Sequence, residues 1–213
     1  MSSGPSRCMI VVEGPDGCGK TTISEALCSE LRTRTQKGWV LVPDPSAGPV
    51  GQLIRSYLRG GGKRPLDSLG YLFMADRMDQ LDAWGQAHVV ADRFLLSTWV
   101  YQHGFMPGAV LEACLNDPRL RAPDIVVFLD TPLELCIERC ARRKGKAPEI
   151  FEQRDRMARQ HERYHAAWFR EGLPACIVGT RQIAVGITSA SKPGEITGEI
   201  LRQMASFGYL PEN

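Results

Sequence analysis

Among the 213 residues no apolar run approaches the roughly 20 residues that a membrane-spanning helix needs. The opening residues are polar and lack the apolar segment of a signal peptide, so the expectation is a soluble, cytoplasmic protein with no membrane partner. An excess of one charge sign is missing as well. The 26 Lys and Arg stand against 24 Asp and Glu for a net charge of +2, which argues against a general polyanion binder and leaves only local basic clusters. Signs of cysteine pairing are equally scarce: seven cysteines, an odd number, lie scattered without a C-x-x-C pair. Neither a disulfide framework nor a zinc site is indicated, and a reducing, intracellular setting fits better. No internal repeat, low-complexity stretch or proline-rich linker divides the chain, so one domain over 1–213 is expected.

What is present begins at Gly14-Pro15-Asp16-Gly17-Cys18-Gly19-Lys20-Thr21, which fits G-x-x-x-x-G-K-[ST] without a mismatch. Glycines let backbone N–H groups turn inward around an anion, Lys20 can reach β and γ phosphates, and the Thr21 hydroxyl can ligand Mg²⁺. The apolar run Cys8–Val12 before the loop reads as a buried parallel strand. Thr21–Arg34 after it, with Ile23, Ala26, Leu27 and Leu31 at helical spacing, reads as a helix whose N-terminus adds positive potential. Gly14 to Thr22 is therefore the expected site for a nucleoside triphosphate.

Further strands are expected at Trp39–Val42, Ala87–Ala91, Asp124–Leu129 and Ala175–Val178, with helices between them. Alternation of this kind calls for a parallel sheet covered by helices on both faces, with ligands beyond the carboxyl ends of the strands. Gly14, Pro43-Asp44-Pro45, Asp92-Arg93 and Asp130 each follow a strand and should converge on one crevice.

Asp92-Arg93-Phe94-Leu95-Leu96-Ser97-Thr98-Trp99-Val100-Tyr101-Gln102 crowds an acid, an arginine and several hydroxyl and amide groups into one loop and helix, a mix suited to a polar ligand; a surface ion pair is the plainer reading of Asp92-Arg93 alone. With Glu13-Gly14-Pro15-Asp16-Gly17, Tyr71–Arg77, Pro123–Asp130, Arg139 and Arg143, Phe151-Glu152 and Tyr164, the segment resembles the thymidylate kinase family over most of the chain. The resemblance implies a P-loop NTPase fold, a three-layer α/β/α sandwich with a parallel, mostly five-stranded sheet and a short helical lid at about 139–152. It implies transfer of the γ-phosphoryl group of ATP to a pyrimidine deoxynucleoside monophosphate, dTMP to dTDP, with Mg²⁺. Asp16, Lys20, Arg93 and Arg143 would then be catalytic. Arg139 would join the phosphate loop on the donor, and Thr21 and Asp92 would hold the metal. Asp44, Pro45, Arg55, Phe73, Arg77, Arg93, Ser97, Thr98, Tyr101 and Gln102 would bind the acceptor nucleotide, Phe73 stacking on the base and Arg77 reaching a carbonyl oxygen. The residues alone leave Tyr101 equally readable as a core ring, and Leu72, Phe73 and Ala75 as a packing face. A homodimer is implied by resemblance only.

Arg139, Arg142, Arg143, Lys144 and Lys146 with Gly145 read either as a solvated helix end or, by resemblance, as a lid closing over donor phosphates. One branch of the family carries an arginine where this chain has Gly17, so the catalytic cation is expected from the lid. Pro43 stands where bacterial members have arginine, Ile150 where they often have a lid arginine, and Trp99 at a commonly small position. These departures point to an altered acceptor site. They keep open a modified pyrimidine (5-hydroxymethyl-dUMP, or hydroxymethyluracil in DNA, the one route to a nucleic acid partner), a nucleoside, or a nucleotide-binding switch without catalysis. His161 and His165, four apart, are expected on a solvated helix face rather than on a metal. Cys18 is either a thiol activated by the helix terminus or a small filler, and Cys136 and Cys140 are expected on the apolar side of a helix.

Overall fold

The computed structural model describes residues 7–60, 66–84, 87–143 and 149–210, without the side chains of residues 82 and 83. Five strands, β1 (Met9–Glu13), β2 (Trp39–Pro43), β3 (His88–Asp92), β4 (Ile125–Asp130) and β5 (Arg181–Gly186), form one sheet in the order β2-β3-β1-β4-β5. Every pairing is parallel. Between the strands run α1 (Lys20–Thr35), α2 (Pro49–Leu58), α3 (Asp67–Trp84), α4 (Leu95–Gln102), α5 (Gly108–Leu115), α6 (Leu133–Ala141) and α7 (Arg154–Ala166), and α8 (Pro193–Ser206) follows the last strand.

Period-two alternation explains the three layers. Ile10, Val12, Val90, Ile125, Val127 and Leu129 point to one face, where Ile23, Leu27 and Leu31 of α1 and Ile200 and Met204 of α8 cover them. The intervening Met9, Val11, Val89 and Ala91 point to the other face, under Met74 of α3 and Leu95 of α4. On that same side Val126 and Phe128 meet Ile54, Leu96 and Tyr164. Both faces of β1 and β4 are buried, so these strands appear in sequence as unbroken apolar runs. A side chain buried in this way contributes roughly 1.5–3 kcal/mol.

Element ends follow local chemistry. Gly19 at φ 107° admits α1, and Gln36 closes it in the left-handed region, its N–H on the Arg32 carbonyl. Proline at the first position opens α2 and α8.

The fifth strand departs from expectation. Ala175–Ile177 is a single 3-10 turn after Pro174, and Gly179 at φ 90° turns the chain into a strand that starts at Arg181. β5 is the sheet edge, where only Ile183 and Val185 face inward, so it alternates apolar with polar instead of forming a dense run. The denser Ala-Cys-Ile-Val segment packs its Ile177 against the α4–α7 side instead.

Of the span read as a lid, Arg139 to Ala141 is the last turn of α6, residues 149–152 lead into α7 without regular helix, and Lys144, Gly145 and Lys146 lie outside the described residues.

Candidate active site

Parallel strands in register bring the loops after β1, β2 and β3 to one edge, and a cavity of about 870 Å³ opens there. The fourth expected loop does not join it. Asp130, at the end of β4, turns its carboxylate to His165 of α7, 3.0 Å away.

The loop from Asp16 to Thr22 lines one wall. Gly17 sits at φ 85°, and a Cβ there would lie 2.2 Å from the carbonyl oxygen of Cys136 on α6, so neither a left-handed side chain nor its volume fits. An arginine at this position is excluded by the same contact. Gly14 and Pro15 lie just behind the wall and offer their carbonyls to the Lys20 ammonium at 2.8 and 2.6 Å. Cys18 is buried, its sulfur 3.6 Å from that ammonium.

Across the crevice, Arg93 follows β3 with φ 79°, an uncommon backbone for a side chain this large. Its guanidinium pairs with the Asp16 carboxylate, donates to the Ser97 hydroxyl at 3.2 Å and lies 5.3 Å from the Tyr101 ring. The Tyr101 hydroxyl donates to the other Asp16 oxygen at 2.9 Å. Burial opposes the charge on Asp16, but Arg93, Lys20, the Tyr101 hydroxyl and Arg143 together outweigh it and hold the carboxyl below its usual range. Burial also works against the charge on Arg93, yet Tyr101, Asp16 and their neighbours keep it firmly cationic. Tyr101, pushed well up by burial and then by Asp16, stays a hydrogen-bond donor. It is a core ring and a site residue at once.

Thr21 donates its hydroxyl to Asp92 Oδ2 at 2.6 Å, while Asp92 Oδ1 is buried with no hydrogen-bond partner among the described residues. A hydroxyl beside a carboxylate with spare acceptor capacity fits a hard divalent cation.

The far end of the cavity is built by α3 and α4. Arg77 is almost wholly buried; its Nε and Nη2 donate to Asp44 Oδ2 at 2.9 and 2.5 Å, and Nη2 also reaches the Phe94 carbonyl at 3.0 Å. Phe73 lies one turn earlier, its ring 5.9 Å from that guanidinium. Burial outweighs the Arg77 partner and pushes the Asp44 carboxyl up to about 6. Asp44 Oδ1, the Thr98 hydroxyl and both amide atoms of Gln102 are buried without a partner among the described residues. Pro45, joined to Asp44 by a cis peptide, and Ser46 give their carbonyls to the Arg55 guanidinium, and Asp76 holds Ser46 from α3.

Two cations of the span read as a lid reach the cavity. Arg139 donates to the Cys18 carbonyl at 3.2 Å, and Arg143 pairs with Glu152 at 2.6 Å. Sequence reasoning missed Arg59 and Glu149, and Ile187, Ser191, Pro193 and Ile196 beyond β5, all of which line the same cavity. The last four follow a strand that sequence pattern places too early, and the corrected strand end is the signal that would have found them.

Two expectations fail, one for Trp99 and one for the histidine pair. Trp99 does not line the cavity but packs edge-on to His103 at 5.6 Å and against the core, so its indole does not shape the crevice as expected. Ile150 ties its N–H to the Leu58 carbonyl at 2.8 Å and packs inward. His161 and His165 are not on a solvated face: their rings stack at 4.5 Å, half-buried, with His161 on the Thr131 carbonyl at 2.8 Å and His165 beside Asp130. Cys136 is core as expected, its thiol pushed up to about 12 by burial.

The family model described as thymidylate kinase matches residues 12–184, most of the chain. The chain belongs to the thymidylate kinase family. A protein provisionally named thymidylate kinase in Treponema pallidum is 32% identical over 151 residues, which is 67% of this chain and 70% of that one. A thymidylate kinase of Leuconostoc mesenteroides is 31% identical over 160 residues, 68% of this chain and 74% of the relative. In fold, the thymidylate kinase of Candida albicans, an enzyme of broad substrate specificity, superposes with a TM-score of 0.71 at 21% identity over 95% of this chain and 93% of that one. The protein is thus a phosphotransferase of the nucleoside monophosphate kinase class, acting on small nucleotides. Where one branch of the thymidylate kinase family carries a loop arginine, this chain has Gly17, packed so closely on the Cys136 carbonyl that a Cβ would lie 2.2 Å from it.

Proposed function

We propose that the chain transfers the γ-phosphoryl group of ATP to thymidylate. The observation that carries this reading is the Arg93 guanidinium set against Asp16 at the edge of the phosphate loop, inside one cavity that runs on to Phe73 and Gln102. Phosphoryl transfer asks for positioning and charge neutralisation more than for covalent chemistry. Lys20 and the N–H groups of the loop would hold the donor phosphates, Arg139 would lie over the donor, and Arg143 would add positive charge from the lid. Arg93 would grip the acceptor phosphate, with Asp16 fixing its direction. Phe73 would stack on the pyrimidine, and Thr98 and Gln102, whose side chains hold polar atoms without a partner among the described residues, would turn them to its edge.

Thr21 and Asp92 would hold Mg²⁺, which when bound neutralises charge on the β and γ oxygens. Among the described residues no group of three or more His, Cys, Asp or Glu side chains could hold a metal ion. One carboxylate and one hydroxyl suit a cation that takes its remaining ligands from phosphates and water.

Pairing as a homodimer belongs to the same proposal and rests on the family's habit; Leu53 of α2 and Tyr71 of α3 are exposed apolar candidates for the contact, and sedimentation would test it. A reducing cytoplasm suits a chain whose seven cysteines are all free thiols. Among the described residues no helix is long and apolar enough to cross a membrane.

The test is ADP release in a coupled assay with ATP and Mg²⁺ against a panel of monophosphates that includes thymidylate and 5-hydroxymethyl-dUMP. Turnover with thymidylate is expected. Absence of turnover with every pyrimidine monophosphate rejects the proposal, and selective turnover of the hydroxymethylated nucleotide reassigns the acceptor.

A further inference from the structure

Glu13, the last residue of β1, is fully buried, and its four hydrogen bonds go to one helix end and one ring. Its Oε1 accepts the backbone N–H groups of Phe94 and Ser97 at 2.9 and 3.1 Å, while Oε2 accepts the hydroxyls of Ser97 and Tyr164 at 2.7 and 3.1 Å. Phe94 gives α4 no side-chain cap, and the first turn of that helix holds no acid. A carboxylate from 81 residues earlier in the chain therefore takes the place of the cap.

The same contacts point onward to the guanidinium. With its single proton donated to Glu13, the Ser97 oxygen presents lone pairs, and Arg93 Nη1 donates to it at 3.2 Å. Tyr164, stacked on Phe128 at 5.8 Å between ring centroids, holds its hydroxyl 2.8 Å from the same Ser97 oxygen, so its one proton is shared between Glu13 Oε2 and Ser97 and braces the relay from α7. Arg93 adopts a left-handed backbone at φ 79°, and such geometry persists where surrounding contacts over-determine it.

We propose that Glu13 is a positioning residue that sets the direction of the Arg93 guanidinium through the Ser97 hydroxyl. This rests on the reading of Arg93 as the acceptor-phosphate ligand. A carboxylate accepts from Ser97 and leaves the hydroxyl oxygen free for Arg93. An amide at the same place offers N–H groups instead, which compete with Arg93 for that oxygen.

The test is steady-state kinetics of Glu13→Gln, Arg93→Ala and the double variant, each checked for folding by its thermal midpoint. Glu13→Gln is expected to raise KM for thymidylate about tenfold, the loss of roughly one charge-assisted hydrogen bond, with KM for ATP unchanged. In the Arg93→Ala background the second substitution should add nothing. An unchanged thymidylate KM, a parallel rise in both KM values, or full additivity in the double variant overturns the proposal. If Glu13→Gln does not fold, Ser97→Ala decides: it cuts the relay while leaving both backbone bonds to Glu13, and an unchanged thymidylate KM refutes it. Failure of the underlying reading is separate, for it appears as an active Arg93→Ala enzyme with normal thymidylate KM, whatever Glu13 does.

Discussion

Replacing Tyr101 by Phe isolates one oxygen atom. The ring is buried against Phe151 and beneath Arg93, at 5.3 Å in both cases, and those contacts survive the change. What is lost is the hydroxyl donated to Asp16 Oδ2 at 2.9 Å. A hydrogen bond to a charged group contributes about 1.5–3 kcal/mol. Asp16 is held below the ordinary carboxylate range, against burial, by Arg93 first, then Lys20, then this hydroxyl and Arg143. Removing one donor weakens the anion only, so the carboxyl must titrate higher. The midpoint should therefore rise when this donor is removed. The sign for stability follows: the depressed carboxyl stabilises the fold above its unfolded pKa and loses that contribution as pH falls through the folded value, so Tyr101→Phe narrows the gap and weakens the acid dependence. Following the Asp16 carboxyl carbon by NMR in aspartate-labelled protein, assigned by its loss in Asp16→Asn, measures the midpoint directly. A folded Tyr101→Phe chain with an unmoved midpoint refutes this balance of forces at Asp16.

Gly17→Ala combines a left-handed backbone cost of about 1–2 kcal/mol with a Cβ 2.2 Å from the Cys136 carbonyl. The thermal midpoint should drop by at least about 4 °C and ADP binding measured by calorimetry should weaken; an unchanged midpoint counts against so close an approach of the loop to α6. Asp44, pushed by burial up to about 6 from an ordinary 3.8, makes the folded chain bind more protons than the unfolded one between those values, so its contribution to stability falls as pH rises from about 4 to about 6. Asp44→Asn should flatten that part of the midpoint–pH curve, and an unaltered curve would show that burial does not dominate at this carboxyl.

Legibility followed the physics of each segment. β1 and β4 are buried on both faces, so composition alone locates them to within a residue. β5 is buried on one side at the sheet edge, and its alternation is outweighed by the denser Ala175–Val178 run, which takes the cavity lining at Ile187 to Ile196 out of view. At the site, the eight-residue loop motif is self-sufficient because backbone and side chains act at fixed offsets. Asp16 with Arg93 needs the family pattern, since 77 residues separate partners that only the sheet register brings together. Trp99 misleads because a helix of eight residues presents three sides, and size at a position says nothing about which side it faces. Glu13 stands at the start of a legible motif with no legible role, because an acid at a strand end looks the same in sequence whether it faces ligand or caps a distant helix.

For Arg93 to hold a phosphate as proposed, the Asp16–Arg93 pair must leave guanidinium donors free. A guanidinium carries five N–H donors. Arg93 directs Nη2 to Asp16 and Nη1 to Ser97, which leaves Nε–H and one hydrogen on each terminal nitrogen. A phosphate gripped by these remaining donors does not require the Asp16 contact to break, so the carboxylate can keep the guanidinium in place throughout binding. Asp16 for its part accepts from Arg93 on Oδ1 and from Tyr101 on Oδ2, so neither oxygen is left without a donor to face an incoming anion bare. Two like charges, carboxylate and phosphate, are then separated by a shared cation, which is the arrangement that keeps both ionised in a half-buried crevice.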